Sequence, residues 1–416
     1  MKIACVGAGP AGLYLSILMK LRDPGTEVTI FERNPVGVTH GWGVVFWDDL
    51  VADLQANDPE SAAAILEGSF AWDGQLVHIK GEPPTREDGG GYGISRQTLL
   101  DILSERARDL GVTIRYEDEI TSLAELPEAD VVVAADGVGS QIRRLHGLEF
   151  DARTQPGRNK YVWLATPRLF EAFTFGLVHT EAGWIWCHAY GYSKDRSTFI
   201  VECSPNTWKG LGFDELGADE SLRLLEALFD EYLDGQPLLT AGGEAEGLPW
   251  LHFRNLTNTK WYSGNVVLVG DAAHTTHFTI GSGTRLAMQD SIALANRLHG
   301  SQDVHAALEA YEAERQLGML RPQREARLSS TWFENLPRYA ALGGPQVHAF
   351  LVHRRSRVAH HVPPRLYYGL LKANRIPLAR KLYRWAADGA EAVEKQRAAH
   401  RRHHELTPVA VDEKDS

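Results

Sequence analysis

The sequence predicts an α/β protein in which a domain built on a parallel sheet is interrupted by a smaller domain with a mixed or antiparallel sheet, and helices follow at the carboxyl end. Three observations predict this fold class. A strand, a glycine-rich turn, a helix and a second strand succeed one another within residues 2–32. Short, strongly apolar segments recur at 129–135 and 265–269, as strands buried on both faces require. Between these segments, residues from about 158 to 255 alternate β-branched and aromatic with polar side chains.

The amino-terminal segment predicts the first βαβ unit of the parallel sheet. We predict a buried strand over residues 2–7, a helix over 11–22 and a second strand over 27–32. Because a helix joins the two strands, they must run parallel.

Further elements extend this domain. Residues 99–110 predict a helix, since apolar side chains repeat on one face and Gly111 ends the pattern. We also predict strands at residues 112–116, 129–135 and 265–269 and a helix at about 284–298. We therefore predict a discontinuous first domain. The predicted division is 1–155 with 256–330 for the first domain, 156–255 for the inserted sheet domain, and 331–416 for a C-terminal helical region with a disordered end.

Composition excludes several classes of function. The 416 residues carry a formal net charge of -11, which argues against nucleic acid as a partner. No segment approaches the ~20 apolar residues of a membrane span, so we expect no membrane partner. Cys5, Cys187 and Cys203 form no closely spaced pair, which predicts reduced thiols, no metal site and a cytoplasmic protein.

The first turn carries a dinucleotide-binding pattern. Gly7, Gly9 and Gly12 match G-x-G-x-x-G between the first strand and its helix. The first glycine makes the tight turn, the second lets a pyrophosphate approach the backbone, and the third allows close packing of helix on strand. Glu32 ends the next strand, where a carboxylate can bind ribose hydroxyls. In this context we predict a Rossmann-type nucleotide site.

Two later strands also end in aspartate-containing turns. Asp136-Gly137 follows the strand at 129–135, and Gly270-Asp271 follows the strand at 265–269. Each could be an ordinary capped turn, because aspartate and glycine suit turns for local reasons. Their value lies in the combination with the first motif.

The three motifs, in this order and with this spacing, resemble the FAD-dependent aromatic hydroxylases of the p-hydroxybenzoate hydroxylase type. The similarity extends over most of residues 1–330. It implies a Rossmann-type FAD-binding domain, FAD as cofactor and NAD(P)H as electron donor. It further implies that Arg96 reaches the flavin and its phosphates and that Asp271 binds the ribityl chain. The residues implied to bind the cofactor are Gly7, Gly9, Pro10, Ala11, Gly12, Glu32, Arg33, Arg96, Asp136, Gly137, Gly270, Asp271, Gly281, Ser282, Gly283 and Thr284.

The segment Gly281-Ser282-Gly283-Thr284 opens the helix that follows the Gly270-Asp271 turn. Its N–H groups can face the N1/C2=O edge of the flavin, where reduced flavin gathers negative charge. A glycine-rich helix start without a ligand is the alternative interpretation.

One departure from the family pattern points to a narrower branch. Many members have a proline between the second aspartate turn and the glycine-rich helix start, but residues 274–280 contain none. This variation resembles the salicylyl-CoA and anthraniloyl-CoA hydroxylases and the tryptophan hydroxylase of violacein biosynthesis. The stretches 40–46, 157–161 and 197–202 point the same way.

The resemblance implies the chemistry. Reduced flavin and O2 give a C4a-hydroperoxide, which transfers oxygen to a ring activated by a hydroxyl or amino group, in a site that excludes water. A histidine base would help to deprotonate the substrate. His40, His188 and His274 are candidates, and His277, in the loop expected beside the flavin, is the predicted catalytic residue. The aromatic residues expected to wall the pocket or fill the sheet core are Trp163, Phe173, Phe175, Trp184, Trp186 and Tyr190.

Several alternatives stay open. The substrate is predicted to be an aryl-CoA thioester such as salicylyl-CoA, or else a free aromatic or indole metabolite. Basic residues from Arg354 onward are interpreted as a solvated helix face, or as a patch for a phosphorylated substrate. A flavin-binding protein without hydroxylase activity is the third hypothesis. We expect a monomer or a homodimer.

Overall fold

The computed structural model describes residues 1–39, 41–145, 149–240, 248–340 and 342–373. The strands are β1 (Lys2–Val6), β2 (Glu27–Glu32), β3 (Gly43–Phe46), β4 (Phe70–Trp72), β5 (Gln75–Ile79), β6 (Thr85–Glu87), β7 (Gly91–Ser95), β8 (Thr113–Tyr116), β9 (Val131–Ala134), β10 (Ala152–Thr166), β11 (Phe173–Thr180), β12 (Gly183–Gly191), β13 (Ser197–Cys203), β14 (Leu251–Asn258), β15 (Tyr262–Ser263) and β16 (Val266–Leu268). The helices are α1 (Pro10–Arg22), α2 (Asp48–Asn57), α3 (Pro59–Glu67), α4 (Arg96–Asp109), α5 (Gln141–Leu145), α6 (Pro205–Gly210), α7 (Ala218–Leu228), α8 (Asp230–Leu233), α9 (Gly283–Leu298), α10 (Val304–Glu334), α11 (Leu336–Ala340), α12 (Gly344–Val352), α13 (Arg357–His361) and α14 (Pro364–Ala373).

A six-stranded sheet in the order β15-β16-β9-β1-β2-β8 forms the first layer. All of its pairs are parallel except the β15–β16 pair. Helices α1 and α9 pack together, and their apolar side chains share one core with β1, β2, β9 and β16. The predicted parallel sheet with helical crossovers is therefore confirmed, with each strand within one or two residues of its predicted ends.

The order of the central strands brings the three sequence motifs together. β1 pairs with both β2 and β9, and β9 pairs with β16. Because these strands are parallel, the turns that follow them lie at one edge of the sheet. Gly7, Asp136 and Gly270 are consequently neighbours, although they are far apart in sequence. A Cβ on Gly7 would lie 2.5 Å from the carbonyl oxygen of Ala135.

The second large sheet has seven strands in the order β14-β10-β13-β12-β11-β5-β6. Its pairs are antiparallel except β11 with β5, which confirms the predicted mixed sheet. One face packs against residues of α7 and α8, and the other packs against α10, α11 and α12. Strands β5 and β6 join it from outside residues 156–255, so the sheet is larger than the inserted segment. The division into domains stays a proposal.

A small sheet in the order β3-β7-β4 lies between the two larger sheets. The hydroxyl of Tyr190 on β12 donates to the carbonyl of Gly43 on β3 at 2.8 Å, and the N–H of Gly43 donates to Thr198 at 3.0 Å. These bonds fix the chain segment after His40 against the large antiparallel sheet. No helix in the described ranges has the length and apolar character needed to cross a bilayer.

Candidate active site

The three glycines of the first motif occupy different environments. Gly7 has φ +105° and Gly12 packs so closely that a Cβ would lie 2.2 Å from the carbonyl oxygen of Gly7. Around Gly9, by contrast, a Cβ would meet only Ala135, at 3.9 Å. Gly7 and Gly12 are thus required by the protein's own packing, whereas the space beside Gly9 is open, as approach of a pyrophosphate requires.

The amino end of α1 and the end of β2 form the rim of this turn. Pro10 begins the helix at a position where no N–H is needed, and Ala11 behind it is buried. The carboxylate of Glu32 accepts a hydrogen bond from the N–H of Ala8 at 2.8 Å. Arg33 follows as an exposed side chain. This geometry fits a ribose near Glu32, with Arg33 able to reach phosphate.

Asp136 combines a structural bond with an unsatisfied atom. Its Oδ2 accepts the N–H groups of Gln141 and Ile142 at 2.6 and 3.2 Å, which caps α5. Its Oδ1 is buried without a hydrogen-bond partner. Gly137, with φ +79°, adjoins open space. Because buried polar atoms are normally satisfied, the free oxygen indicates a ligand at this turn.

Arg96 and Asp271 face each other across the cleft between the small sheet and the turn after β16. Burial lowers the pKa of Arg96, and attraction to Asp271 opposes that shift. The Asp271 side chain is open to the cleft, yet surrounding protein raises the pKa of its carboxyl group, with His274 and Arg96 opposing. Arg96 Nε also donates to Thr39 at 3.1 Å. A cation and a carboxylate so placed suit the phosphate and hydroxyl groups of a dinucleotide.

A buried carboxylate holds the Gly270-Asp271 turn. Asp290, on α9, accepts hydrogen bonds from the N–H of Gly270 at 3.0 Å and from Arg315 Nε at 2.6 Å. His274 Nε2 lies 2.8 Å from the same carboxylate. Burial opposes ionisation of Asp290, but these partners hold its pKa below the usual range. His274, a candidate base, is therefore engaged in positioning the turn.

The amino end of α9 is the next part of the cleft. Gly281 has φ +62°, and a Cβ there would collide with Trp47. Ser282 is buried, whereas a Cβ on Gly283 would meet nothing within 4 Å. Thr284 follows in the first turn of this 16-residue helix. The free N–H groups and positive end of α9 fit a site for negative charge on the flavin.

Residues 274–282, here called the α9 loop, lie on the seven-stranded sheet. The ring of Phe278 contacts Tyr161 and His188, with centroid separations of 4.9 and 5.5 Å. His277 is buried, and burial lowers its pKa to about 4. Its Nδ1 accepts from the N–H of Thr279 at 3.4 Å and lies 3.1 Å from the hydroxyl of that residue. His277 is thus neutral at physiological pH, with Nδ1 as an acceptor.

A buried polar cluster lies beneath the α9 loop. Glu202 accepts hydrogen bonds from Asn159 at 2.8 Å and Trp186 Nε1 at 3.1 Å, and it lies 3.2 Å from His188 Nε2. Burial opposes its ionisation, but hydrogen bonds, above all the one with His188, hold the pKa of Glu202 below its usual range. His188 was predicted from the sequence as a candidate base, whereas no role was predicted for Glu202. The only signal was its place in the 197–202 stretch.

A cavity opens beside the α9 loop. Its wall includes Phe173 and Phe175 from β11, Trp47, and the loop residues Thr279 to Gly281. Arg354 and Arg355 also line it, together with the carboxylates of Glu87 and Asp88. Of the six predicted aromatic wall residues, Phe173 and Phe175 line this cavity. Trp186 packs against Phe333, as expected for a core residue. The candidate base His40 lies outside the described residues.

Comparison with known proteins agrees with this geometry. Residues 101–321, just over half of the chain, match the family model described as FAD binding domain. The solved structure of 2-methyl-3-hydroxypyridine-5-carboxylic acid oxygenase superposes with a TM-score of 0.67 at 21% identity, covering 81% of this chain and 91% of that one. A probable FAD-dependent monooxygenase from Pseudomonas aeruginosa gives 0.63 at 19% identity, covering 82% and 98%. The family model and the fold define an FAD-binding protein with the fold of these oxygenases.

Curated relatives narrow the class. The chain is 40% identical to salicyloyl-CoA 5-hydroxylase from a Streptomyces species over 86% of this chain and 70% of that protein. It is 36% identical to a 3-hydroxy-4-methyl-anthranilyl-[aryl-carrier protein] 5-monooxygenase from Streptosporangium sibiricum, over 81% and 90%. It is 33% identical to protodeoxyviolaceinate monooxygenase from Chromobacterium violaceum, over 86% and 95%. The chain belongs to the family of FAD-dependent aromatic hydroxylases, and the predicted resemblance, cofactor and enzyme class are confirmed.

Proposed function

We propose that this FAD-dependent monooxygenase hydroxylates an electron-rich aromatic ring that is presented as a coenzyme A thioester of the salicyloyl type. The observation that carries the proposal is the cavity beside the α9 loop, whose lining combines the aromatic side chains of Trp47, Phe173 and Phe175 with two arginines. The similarity to a salicyloyl-CoA 5-hydroxylase supports the same substrate class. NAD(P)H is the electron donor typical of the family.

We assign FAD to the cleft along the carboxyl edge of the parallel sheet. The open space at Gly9, the unpartnered oxygen of Asp136 and the free amino end of α9 support this assignment. We propose that the 16 cofactor-binding residues predicted from the sequence form this cleft and its rim. Bound FAD supplies the redox chemistry with O2, and the protein binds, orients and shields the reactants.

The walls of the cavity would exclude water from the reacting ring. The rings of Phe173 and Phe175 are in tilted contact, with centroids 4.9 Å apart, and Trp72 contacts Phe173 edge-on at 5.5 Å. Such a surface favours a flat aromatic ring over solvent. Residues Thr279 to Gly281 of the α9 loop complete this part of the lining.

His277 stays the proposed catalytic histidine. Its low pKa keeps the imidazole neutral and able to accept a proton. The same low pKa makes it a weak base, because an efficient base has a pKa near the working pH. His277 alone is therefore poorly matched to the ionisation of a phenol, whose ordinary pKa is about 10.

Arginines grouped around Arg355, which lines the cavity, support recognition of phosphate. We call Arg285, Arg321 and Arg355 the arginine cluster. Burial is the largest cause of the lowered pKa of Arg355, and repulsion from the nearby Arg285 and Arg321 lowers it further. Glu325 accepts from Arg321 at 2.8 Å and from Arg355 at 3.5 Å. Arg285 is also paired with Asp49, so three guanidinium groups share the carboxylates of Glu325 and Asp49, and this concentration of positive charge suits the phosphates of coenzyme A.

A free aromatic or indole metabolite is the second candidate substrate class. The 33% identity to protodeoxyviolaceinate monooxygenase favours it, and the carrier-protein relative favours a thioester on a protein instead of coenzyme A. The absence of a closely spaced cysteine pair supports a cytoplasmic location for either class.

Turnover by the FAD-loaded protein tests the proposal. We would measure NAD(P)H and O2 consumption with salicyloyl-CoA and anthraniloyl-CoA beside free salicylate, anthranilate and tryptophan, and identify products by mass spectrometry. Stimulation and a hydroxylated product with the thioesters alone are expected. Turnover of only the free compounds would replace coenzyme A thioesters with the second class.

A matched variant tests the arginine cluster. Replacing Arg321 and Arg355 with alanine should raise KM for the coenzyme A thioester roughly fivefold to tenfold, the size of two exposed charged contacts. The KM for NAD(P)H and the content of FAD should stay unchanged. An equal KM for the thioester in wild type and variant would remove the cluster from the substrate site.

A further inference from the structure

Arg354 is a buried cation at the cavity wall. It is only 6% exposed, so of the two interpretations given for the basic residues from Arg354 onward, a solvated helix face does not hold for Arg354. Its Nε donates to Ser329 at 3.0 Å, one terminal nitrogen donates to the carbonyl of Leu351 at 2.8 Å, and the other donates to the carbonyl of Thr279 at 3.0 Å. These three bonds fix the guanidinium plane.

The charge of Arg354 is not neutralised by these bonds. All three acceptors are uncharged, and within the described ranges the carboxylate of Glu325 is bonded to Arg321 and Arg355 instead. Burial and the repulsion of Arg355 lower the pKa of Arg354 to about 9, against the attraction of Glu325. A buried cation without a paired anion is unfavourable. An anion bound in the cavity next to Arg354 would reduce this energetic cost of burying an unpaired cation.

The residues that line the cavity indicate what kind of anion would bind beside Arg354. Arg354 lines the cavity together with Trp47, Phe173, Phe175 and the α9 loop; Glu87, which is paired with His348, and Asp88 line it as well, and neither forms an ion pair with Arg354 among the described contacts. The guanidinium carbon also lies 5.5 Å from the centre of the Phe175 ring. A ligand that meets both an aromatic wall and this cation carries its negative charge on or directly beside a ring.

A hydrogen-bonded chain leads from Arg354 to the α9 loop. Arg354 donates to Ser329 Oγ, whose hydroxyl donates to Thr279 Oγ1 at 2.8 Å, and Thr279 Oγ1 lies 3.1 Å from Nδ1 of His277. Ser329 and Thr279 are buried. Every donor in this chain points away from Arg354, so Nδ1 of His277 receives a hydrogen bond and holds no proton. Arg354 and His277 are thus set in one fixed arrangement.

We propose that Arg354 binds the ring oxygen of a phenolic substrate and holds it as the phenolate, the electron-rich form that accepts oxygen. The inference rests on the proposed function and assigns the ring-activating step to Arg354. The substrate enters ionised or loses its phenolic proton to solvent on binding, and the protein gains no proton. A charge-assisted hydrogen bond from the buried guanidinium of Arg354 favours the ionised form, which offsets the weak basicity of His277.

The test compares ligands that differ by one hydroxyl. Salicyloyl-CoA and benzoyl-CoA are titrated against the FAD-loaded oxidised protein, with the flavin absorption spectrum as readout. Wild type should prefer salicyloyl-CoA, and Arg354→Met should reduce that preference about tenfold to a hundredfold, as expected for a hydrogen bond to a charged group. Ser329→Ala breaks the chain to the α9 loop but keeps the cation, so it should retain the preference.

A second measurement needs no variant. Below the ordinary pKa of the phenol, binding of salicyloyl-CoA to wild type should release a proton to the buffer and shift the ligand absorption to the phenolate band. The proposal is overturned if neither change occurs, if Arg354→Met keeps the wild-type preference, or if Ser329→Ala loses it equally.

Failure of the proposed function is separable from failure of this inference. If wild type binds neither thioester, salicylate and benzoate replace them in the same titrations. If wild type prefers salicylate to benzoate and Arg354→Met removes that preference, coenzyme A thioesters are excluded as the substrate class and the role of Arg354 is supported. If no phenol binds in preference to its deoxy counterpart, the role of Arg354 is overturned as well.

Discussion

His274 Nε2 lies 2.8 Å from Oδ2 of Asp290, and both side chains are buried. The same oxygen accepts the N–H of Gly270, so one carboxylate on α9 fixes the turn that carries Asp271. The turn, the helix and the histidine form a single unit at the carboxyl edge of the parallel sheet. Cofactor binding should therefore depend on Asp290, which itself lies outside the predicted motifs.

Replacing Asp290 with asparagine leaves the buried Arg315 without its carboxylate. We expect a loss of about 3–5 kcal/mol in the free energy of unfolding, the usual result of breaking a buried ion pair, and weaker retention of FAD. Urea unfolding and flavin absorbance measure the two effects. Glu314→Gln, which breaks the exposed pair with Arg297, is the control and should cost less than about 1 kcal/mol. Equal losses in both variants would contradict the account.

Alanine substitutions at Gly9 and Gly12 in the first turn should affect different properties, FAD affinity in one case and stability of the fold in the other. Gly9→Ala adds a Cβ into open space, so the protein without FAD should keep its stability while its affinity for FAD falls. Gly12→Ala places a Cβ 2.2 Å from the carbonyl of Gly7, so the fold itself should be destabilised. Thermal unfolding of protein stripped of FAD, followed by FAD titration, separates them. Normal FAD binding by Gly9→Ala would exclude this turn as the pyrophosphate site.

Removing the carboxylate of Glu202 leaves Asn159, Trp186 and His188 without their shared acceptor. We expect Glu202→Ala to lower the free energy of unfolding by about 3 kcal/mol or more, since each unsatisfied buried group costs about 1–3 kcal/mol. Glu202→Gln keeps an acceptor oxygen and should lose less. Chemical denaturation of the two variants tests this, and an equal, small effect would show that the cluster contributes little to the fold.

Stability should fall with acid because of His277. Its pKa is about 4 in the folded protein against an ordinary 6.5, so between these values the unfolded chain binds the proton and the folded chain does not. The free energy of unfolding therefore decreases as pH falls through this window, by at most about 3 kcal/mol from this residue. His188, whose pKa burial also lowers, adds to the decrease.

His277→Gln should flatten that pH dependence without abolishing it, because His188 is retained. Unfolding free energies measured at several pH values between 4 and 7 give the slope. His299→Gln, at an exposed position after α9, should keep the wild-type slope. If the slope of His277→Gln equals that of wild type, His277 is not buried as a neutral group.

The nucleotide half of the molecule could be predicted because its signals are local. Each short apolar strand is followed directly by a turn motif, and parallel strands put such turns at one edge. Gly7, Asp136 and Gly270 could thus be placed together from the sequence. The joining of β5 and β6 to the larger sheet could not be predicted, since both strands are short and β5, which carries β6 as its neighbour, pairs with β11 across a long stretch of chain.

The polar groups beneath the α9 loop were harder to predict. Glu202 lies in an alternating strand, where a glutamate usually faces solvent, but helices cover both faces of the seven-stranded sheet. Arg354 begins a run of basic residues and has no local feature that distinguishes it from exposed neighbours. Its burial depends on contacts with Ser329 and Thr279, on distant elements.

Incorporation of oxygen from O2 tests the central claim most directly. The FAD-loaded protein would be given NAD(P)H and salicyloyl-CoA under oxygen gas enriched in a heavy isotope, and the product analysed by mass spectrometry. We predict a hydroxylated thioester that carries one heavy oxygen atom on the ring. Consumption of NAD(P)H without a hydroxylated thioester, or a product whose new oxygen comes from water, would contradict it.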